Sequence, residues 1–167
     1  MENSGILEVL KMAILMEKRG QSFYSQVAKQ TQSNEIRMIF ETMSNEEVLH
    51  EKFLAEQFHQ LSQNKKLASV KLPKADSDHL IAMVLSKKIK KEINAAGYEA
   101  AAISAAIDME SNAIKVYSEY ADKASDENEK ELFNWLANWE RTHHRILIDM
   151  DNELKESVWF DNRFWPF

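Results

Sequence analysis

A chain of 167 residues with a formal charge of −6 has the length of one domain and enough residues for a real core. It contains no cysteine, which excludes a disulfide framework, a CxxC redox pair and a thiolate-held cluster. The acidic balance, the absence of a long basic stripe and the absence of any run of about 18 apolar residues argue against a nucleic-acid partner and a membrane span.

Only three glycines and two prolines occur, and apolar residues recur at helical spacing almost throughout, so the chain reads as all-α. The N-terminus has no basic region followed by an apolar run. No signal peptide and a cytoplasmic location are therefore expected.

Helix 1 is predicted from about Ile6 to Gln30, with an inner stripe of Leu10, Ala13, Glu17, Gly20, Tyr24 and Ala28. Gly20 in mid-helix costs about 1 kcal/mol against alanine. It reads as a point of close approach one turn beyond Glu17; the plainer reading is a neutral surface glycine. Gln32-Ser33-Asn34 is a short turn with capping residues, so helix 2, from about Glu35 to Gln63, should lie antiparallel to helix 1. Its stripe runs Ile36, Ile39, Phe40, Met43, Glu47, His50, Leu54, Leu61.

Residues from Asn64 to about Ala96 form a crossover, with a short helix expected from His79 to Ile93 behind Asp76-Ser77-Asp78. Lys87, Lys88, Lys90 and Lys91 read as its solvated face rather than an anion site. The link can return the chain along the bundle, and helix 3 is expected to start at the same end as helix 1.

Helix 3, about Tyr98 to Ala124, has the stripe Ile103, Ala106, Glu110, Ala113, Ile114, Tyr117, Ala121. Asp126 with Glu129 has the form of a capping box. Helix 4, about Asn128 to Lys155, carries Leu132, Phe133, Leu136, Glu140, His143, Leu147, Met150 and Leu154 inward. The expected division is a four-helix bundle over 1–157 and an aromatic tail over 158–167. Five of the tail's last nine residues are aromatic. The tail either folds back on its own bundle or anchors a homodimer, since Trp and Phe are enriched at interfaces; contact with a membrane is a poorer reading.

Glu17, Glu47 and His50 become Glu110, Glu140 and His143 when 93 is added to each number. The same offset carries Met16 to Met109, Tyr24 to Tyr117, Ala28 to Ala121, Phe40 to Phe133 and Leu54 to Leu147. Such a repeat means two similar helix hairpins stacked together. In each ExxH, Glu and His lie one turn apart on one helix face and can reach the same or adjacent ions. Four inward carboxylates carry about −4, which two divalent ions would balance; buried without a cation they would be prohibitive. No Lys or Arg lies on the inner stripes. Oxygen and imidazole donors suit iron or manganese and also admit zinc. The alternative is six core-facing polar residues held by local hydrogen bonds.

A third ExxH, Glu56 with His59, falls on the opposite face of helix 2, has Gln26 upstream and has no histidine in its repeat partner; it reads as a solvated pair. His79 and His144 read as surface residues or as neighbours of the ligands. Tyr24 and Tyr117 lie near the inner face, placed to donate to ligating carboxylates or simply to fill the core.

The stretch Ala13-Ile14-Leu15-Met16-Glu17-Lys18-Arg19-Gly20-Gln21-Ser22-Phe23-Tyr24 and the EExxH of Glu46-Glu47-Val48-Leu49-His50 resemble the rubrerythrin branch of the ferritin-like di-iron superfamily, over roughly residues 6–155. The resemblance implies a ferritin-like bundle with a long crossover between helices 2 and 3. It implies two iron ions, bridged by Glu47 and Glu140, with Glu17 and Glu110 terminal and one histidine on each ion. It also implies reaction with dioxygen or hydrogen peroxide, of ferroxidase or peroxidase type, fed by a separate and unidentified electron donor.

Two departures stand out, and a third carries little weight. Rubrerythrins usually carry a further glutamate, tied to a ligand exchange with histidine in peroxide reduction, where this chain has Ala113. They usually carry a four-cysteine rubredoxin domain, and this chain has no cysteine. Trp139 stands where many members have an acidic residue. Two other functions therefore remain open: iron binding, buffering or delivery without turnover, and a structural bundle stabilised by its metal.

Overall fold

The apolar periodicity is realised as four helices: α1 (Asn3–Gln30), α2 (Asn34–Asn64), α3 (Tyr98–Lys123) and α4 (Glu127–Phe160). The computed structural model describes residues 3–64, 67 and 97–160. The expected crossover helix and the tail beyond Phe160 lie outside these residues. α4 runs five residues past its expected end, and the other boundaries fall within three residues of expectation. Among the described residues no helix is long and apolar enough to cross a membrane.

Each hairpin turn is three residues long and is capped at a repeat-related position. Ser33 Oγ accepts from the Ile36 amide at 3.1 Å. Asp126 Oδ1 accepts from the amides of Asn128 at 2.9 Å and Glu129 at 3.3 Å. Each cap satisfies amides that the first helical turn leaves without partners. Arg37 closes the first turn further by donating to the carbonyls of Ala28 and Thr31. Turns this short force each helix pair antiparallel.

The core splits into two apolar clusters. One holds Tyr24, Ala28, Ile39, Phe40 and Met43 with Ala106, Ile103, Leu147 and Leu154. The other holds Leu10, Ala13, Leu54 and Leu61 with Tyr117, Ala121, Leu132, Phe133 and Leu136. Each leucine, isoleucine, phenylalanine or methionine among them stabilises the fold by about 1.5–3 kcal/mol on full burial. Every pair related by 93 is divided between the clusters: Phe40 lies in one and Phe133 in the other, Leu147 in one and Leu54 in the other.

That division corrects one expectation. α3 does not start where α1 starts; it starts where α1 ends, with Thr31 Oγ1 donating to Glu99 Oε1 at 2.8 Å. α1 therefore opposes α3 and α2 opposes α4. The two hairpins are related by an approximate two-fold axis across the bundle. A two-fold in that direction exchanges the ends of the molecule and leaves its middle fixed, so residues near the middle of each hairpin converge on the axis.

Candidate metal centre

The six repeat-related residues converge there, between the two apolar clusters. Glu17, Glu47, His50, Glu110, Glu140 and His143 are all buried, none more than 3% exposed. Each helix contributes because its polar interruption falls in phase with its apolar stripe. His50 Nδ1 stands 2.9 Å from Glu17, 3.2 Å from Glu47 and 3.7 Å from Glu140. His143 Nδ1 stands 3.4 Å from each of Glu47, Glu110 and Glu140.

Two groups can each hold an ion: Glu17, Glu47, His50 and Glu140, and Glu47, Glu110, Glu140 and His143. Within each, the donor atoms lie within 4.8 Å of one another. Donors around one ion with bonds of about 2.1 Å sit about 3–4 Å apart, so the spacing fits. Glu47 and Glu140 belong to both groups and Glu17 and Glu110 to one each. Among the described residues none of the four carboxylates pairs with a lysine or arginine. Glu140 Oε2 and His143 Nδ1, although 3.4 Å apart, make no hydrogen bond. Buried donors left without partners but aimed at a common point fit a cation placed among them.

The metal-free electrostatics follow from the same contacts. Burial, and then the charge of Glu17, holds the Glu47 carboxyl well above its ordinary value. Burial and the charges of Glu110, Glu47 and Glu17 do the same for Glu140. For Glu17 and Glu110 burial also acts upward, but the facing histidines, His50 for Glu17 and His143 for Glu110, more than offset it and bring both below the ordinary range. Burial would lower His143, yet the carboxylates around it, Glu110, Glu140, Glu46 and Glu47, raise it. These shifts oppose ionisation of the two shared glutamates and favour the charged form of His143, both in the direction that offsets the cluster's negative charge.

Both tyrosines reach the centre, crosswise between hairpins. Tyr24 donates to Glu110, and Tyr117 donates to Glu17. Burial and then the carboxylate charge raise both phenols well above 10.0, so they remain neutral donors that orient these carboxylates.

Gly20 is the expected close approach: a Cβ there would stand 3.3 Å from Glu47 Cδ and 3.4 Å from its Oε1. Gly20→Ala should shift metal-free stability by less than about 1 kcal/mol, because helix propensity gains what the contact loses. It should weaken metal binding several-fold, because Glu47 belongs to both groups. Calorimetric metal titration beside thermal melts checks this, and unchanged affinity would show that the gap at Gly20 does not govern Glu47.

Glu56 and His59 are exposed, bonded to Gln60 and Gln63. His144 is half-buried and belongs to neither group, and His79 lies outside the described residues. The sequence reading assigned no role to Glu46. It is buried, and its Oε2 lies 2.7 Å from His143 Nε2. Its place beside Glu47 was visible in the sequence; its partner on the other hairpin was not.

A cavity of about 170 Å³ between α1 and α3 is lined by Glu17, Glu47, Glu110 and Glu140, with Met16, Met109, Arg19, Gly20 and Ala113 around them. It reaches the carboxylate side of the centre; neither histidine lines it.

A four-helix bundle that buries one Glu from each of two helices and an ExxH from each of the other two has the architecture of the carboxylate-histidine di-metal proteins. The chain belongs to the rubrerythrin family, whose profile matches residues 8–98 and 101–162. A hypothetical protein from Pyrococcus furiosus shares the fold with a TM-score of 0.61 at 20% identity, over 90% of each chain. No curated protein sequence matches the chain.

Proposed function

We propose that the protein is a non-haem di-iron protein that binds two iron ions through Glu17, Glu47, His50, Glu110, Glu140 and His143 and oxidises them with dioxygen or hydrogen peroxide. The observation that carries this reading is the pair of four-residue groups sharing Glu47 and Glu140. Two carboxylates common to both groups would let two ions bind side by side, as in two-metal sites. Bound ferrous iron would supply the electrons for reducing the oxidant. The chain's own residues fix the geometry: Tyr24 and Tyr117 orient Glu110 and Glu17, and the apolar clusters keep bulk water from either end. The cavity beside Glu17 and Glu110 can admit a small oxidant. Electrons for repeated turnover would come from a donor outside this bundle.

Anaerobic loading with ferrous iron tests this. About two ions per chain should bind, and mixing with dioxygen or peroxide should oxidise them far faster than free iron. Binding without faster oxidation would leave iron storage or delivery as the function. Retention of fold and assembly without metal, together with no oxidant chemistry, would leave a structural role.

Ala113 bears on the choice of oxidant. It lines the cavity one turn beyond Glu110, where it offers no oxygen and leaves room beside the centre. A glutamate there could reach the nearer ion. Ala113→Glu should therefore raise the rate of ferrous oxidation by peroxide relative to dioxygen, as stopped-flow comparison of the two oxidants would show. An unchanged ratio, with the new carboxylate seen to ligate, would remove position 113 from the explanation.

A further inference from the structure

The two halves of the centre differ at one repeat-related pair. The residue before the first ExxH glutamate is Glu46, and 93 residues later stands Trp139. Because α2 and α4 run antiparallel across the two-fold, each of these residues packs against the imidazole of the opposite hairpin. Glu46 Oε2 lies 2.7 Å from His143 Nε2. Trp139 instead sets its ring edge-on to His50, with centroids 4.6 Å apart and planes at 85°. Trp135 adds a second ring 5.5 Å from His50.

Both histidines turn Nδ1 towards the shared carboxylates. Their far nitrogens therefore decide how firmly each ring is held. His143 can donate its Nε2 proton to Glu46, which fixes the tautomer with a free Nδ1 lone pair, fixes the ring and makes that nitrogen a stronger donor to a cation. Among the described residues His50 Nε2 is buried without a hydrogen-bond partner. Aromatic rings offer its N–H at most a weak acceptor. Trp139 Nε1 is likewise buried and without a hydrogen bond among the described residues, where its contacts to His50 and Trp135 are ring contacts.

We propose that Glu46 and Trp139 are positioning residues that make the two metal positions unequal. The position of Glu110 and His143 fills first and holds its ion more tightly. The position of Glu17 and His50 fills second and exchanges its ion more readily. The inference rests on the metal-binding reading above and adds an order of occupancy to it. Outer partners of ligating histidines are worth about 10- to 100-fold in metal affinity, which sets the size of the expected difference.

The test is anaerobic calorimetric titration of the metal-free full-length protein with cobalt(II), with circular dichroism confirming each variant's fold. Repulsion between neighbouring ions separates the two steps even in a symmetrical centre, so the variants decide the matter. Trp139→Glu and the uncharged Trp139→Gln both give His50 an acceptor and should narrow the gap between the steps by about tenfold or more. Trp139→Phe gives none and should leave the gap as in wild type. Glu46→Leu should weaken the first step by about 10- to 100-fold. An unchanged gap in both Trp139→Glu and Trp139→Gln overturns the proposal, as does equal narrowing by Trp139→Phe. Two-step cobalt binding with either of those results leaves the metal-binding reading standing, whereas no cobalt binding to wild type overturns both.

Discussion

Glu140→Gln should reduce bound metal from about two ions per chain to well under one, whereas Glu110→Gln should reduce it to about one. The two residues are equally buried and stand one on each helix of the same hairpin. They differ in that Glu140 belongs to both four-residue groups and Glu110 to one. An amide of the same shape keeps the packing but cannot offer two anionic oxygens to two ions. Glu47→Gln should behave like Glu140→Gln, and Glu17→Gln like Glu110→Gln. The metal-free Glu140→Gln protein should be no less stable than wild type, because burial and its neighbours' charges already oppose ionisation of the carboxyl it replaces. Loss of metal without loss of stability separates a shared ligand from a structural residue. Elemental analysis after gel filtration, beside thermal melts, reads both quantities. Two ions retained by Glu140→Gln, or both lost from Glu110→Gln, would sink the assignment of shared and terminal carboxylates.

Metal should stabilise the protein more as pH rises, while the metal-free protein weakens over the same range. In the metal-free chain Glu47 and Glu140 are raised well above 4.5, chiefly by burial. Burial acts to lower His143, but the carboxylates around it raise it well above 6.5. A group raised in the folded state contributes stability that is present below its unfolded value and lost as pH climbs through its folded value. All three groups therefore favour mildly acidic conditions. Glu17 and Glu110, lowered by their histidine contacts, act oppositely: their contribution is present above 4.5 and lost in acid. The metal-free protein should melt highest at mildly acidic pH, above the window where Glu17 and Glu110 fail, and less well towards alkaline pH.

An ion competes with protons for Glu47, Glu140 and His143, so affinity grows as those groups lose protons more easily. Each ion at a free concentration a hundred times its Kd adds about 2.7 kcal/mol. For a chain of this length that is about 5–11 °C in Tm. The gap between loaded and metal-free melting temperatures should widen from pH 5.5 to pH 8. A constant or shrinking gap would show that metal does not replace protons at these groups.

Much of this centre could be read from the sequence because its determinants are local. Helical periodicity placed Glu17, Glu47, His50, Glu110, Glu140 and His143 on inner faces, and the 93-residue offset joined them into one set. Ser33 and Asp126 could be picked out as caps because a cap acts on amides two or three residues away. Gly20 was legible because a mid-helix glycine beside a buried glutamate has few other reasons to be there.

The tertiary structure alone decided what depends on how the hairpins face each other. A repeat offset is the same whether the related helices run parallel or antiparallel, so the direction of α3 could not be read from it. That direction sends Tyr24 to Glu110 and Tyr117 to Glu17, rather than to the glutamate on each tyrosine's own helix. It brings Glu46 to His143 and Trp139 to His50, and it lines one cavity with Gly20 and Ala113 from opposite hairpins. The sequence determined which side chains face inward, because that follows from the 3.6-residue turn of a single helix. Which of them meet was decided by the two-fold axis across the bundle, because contacts between hairpins depend on its orientation and nothing local encodes it.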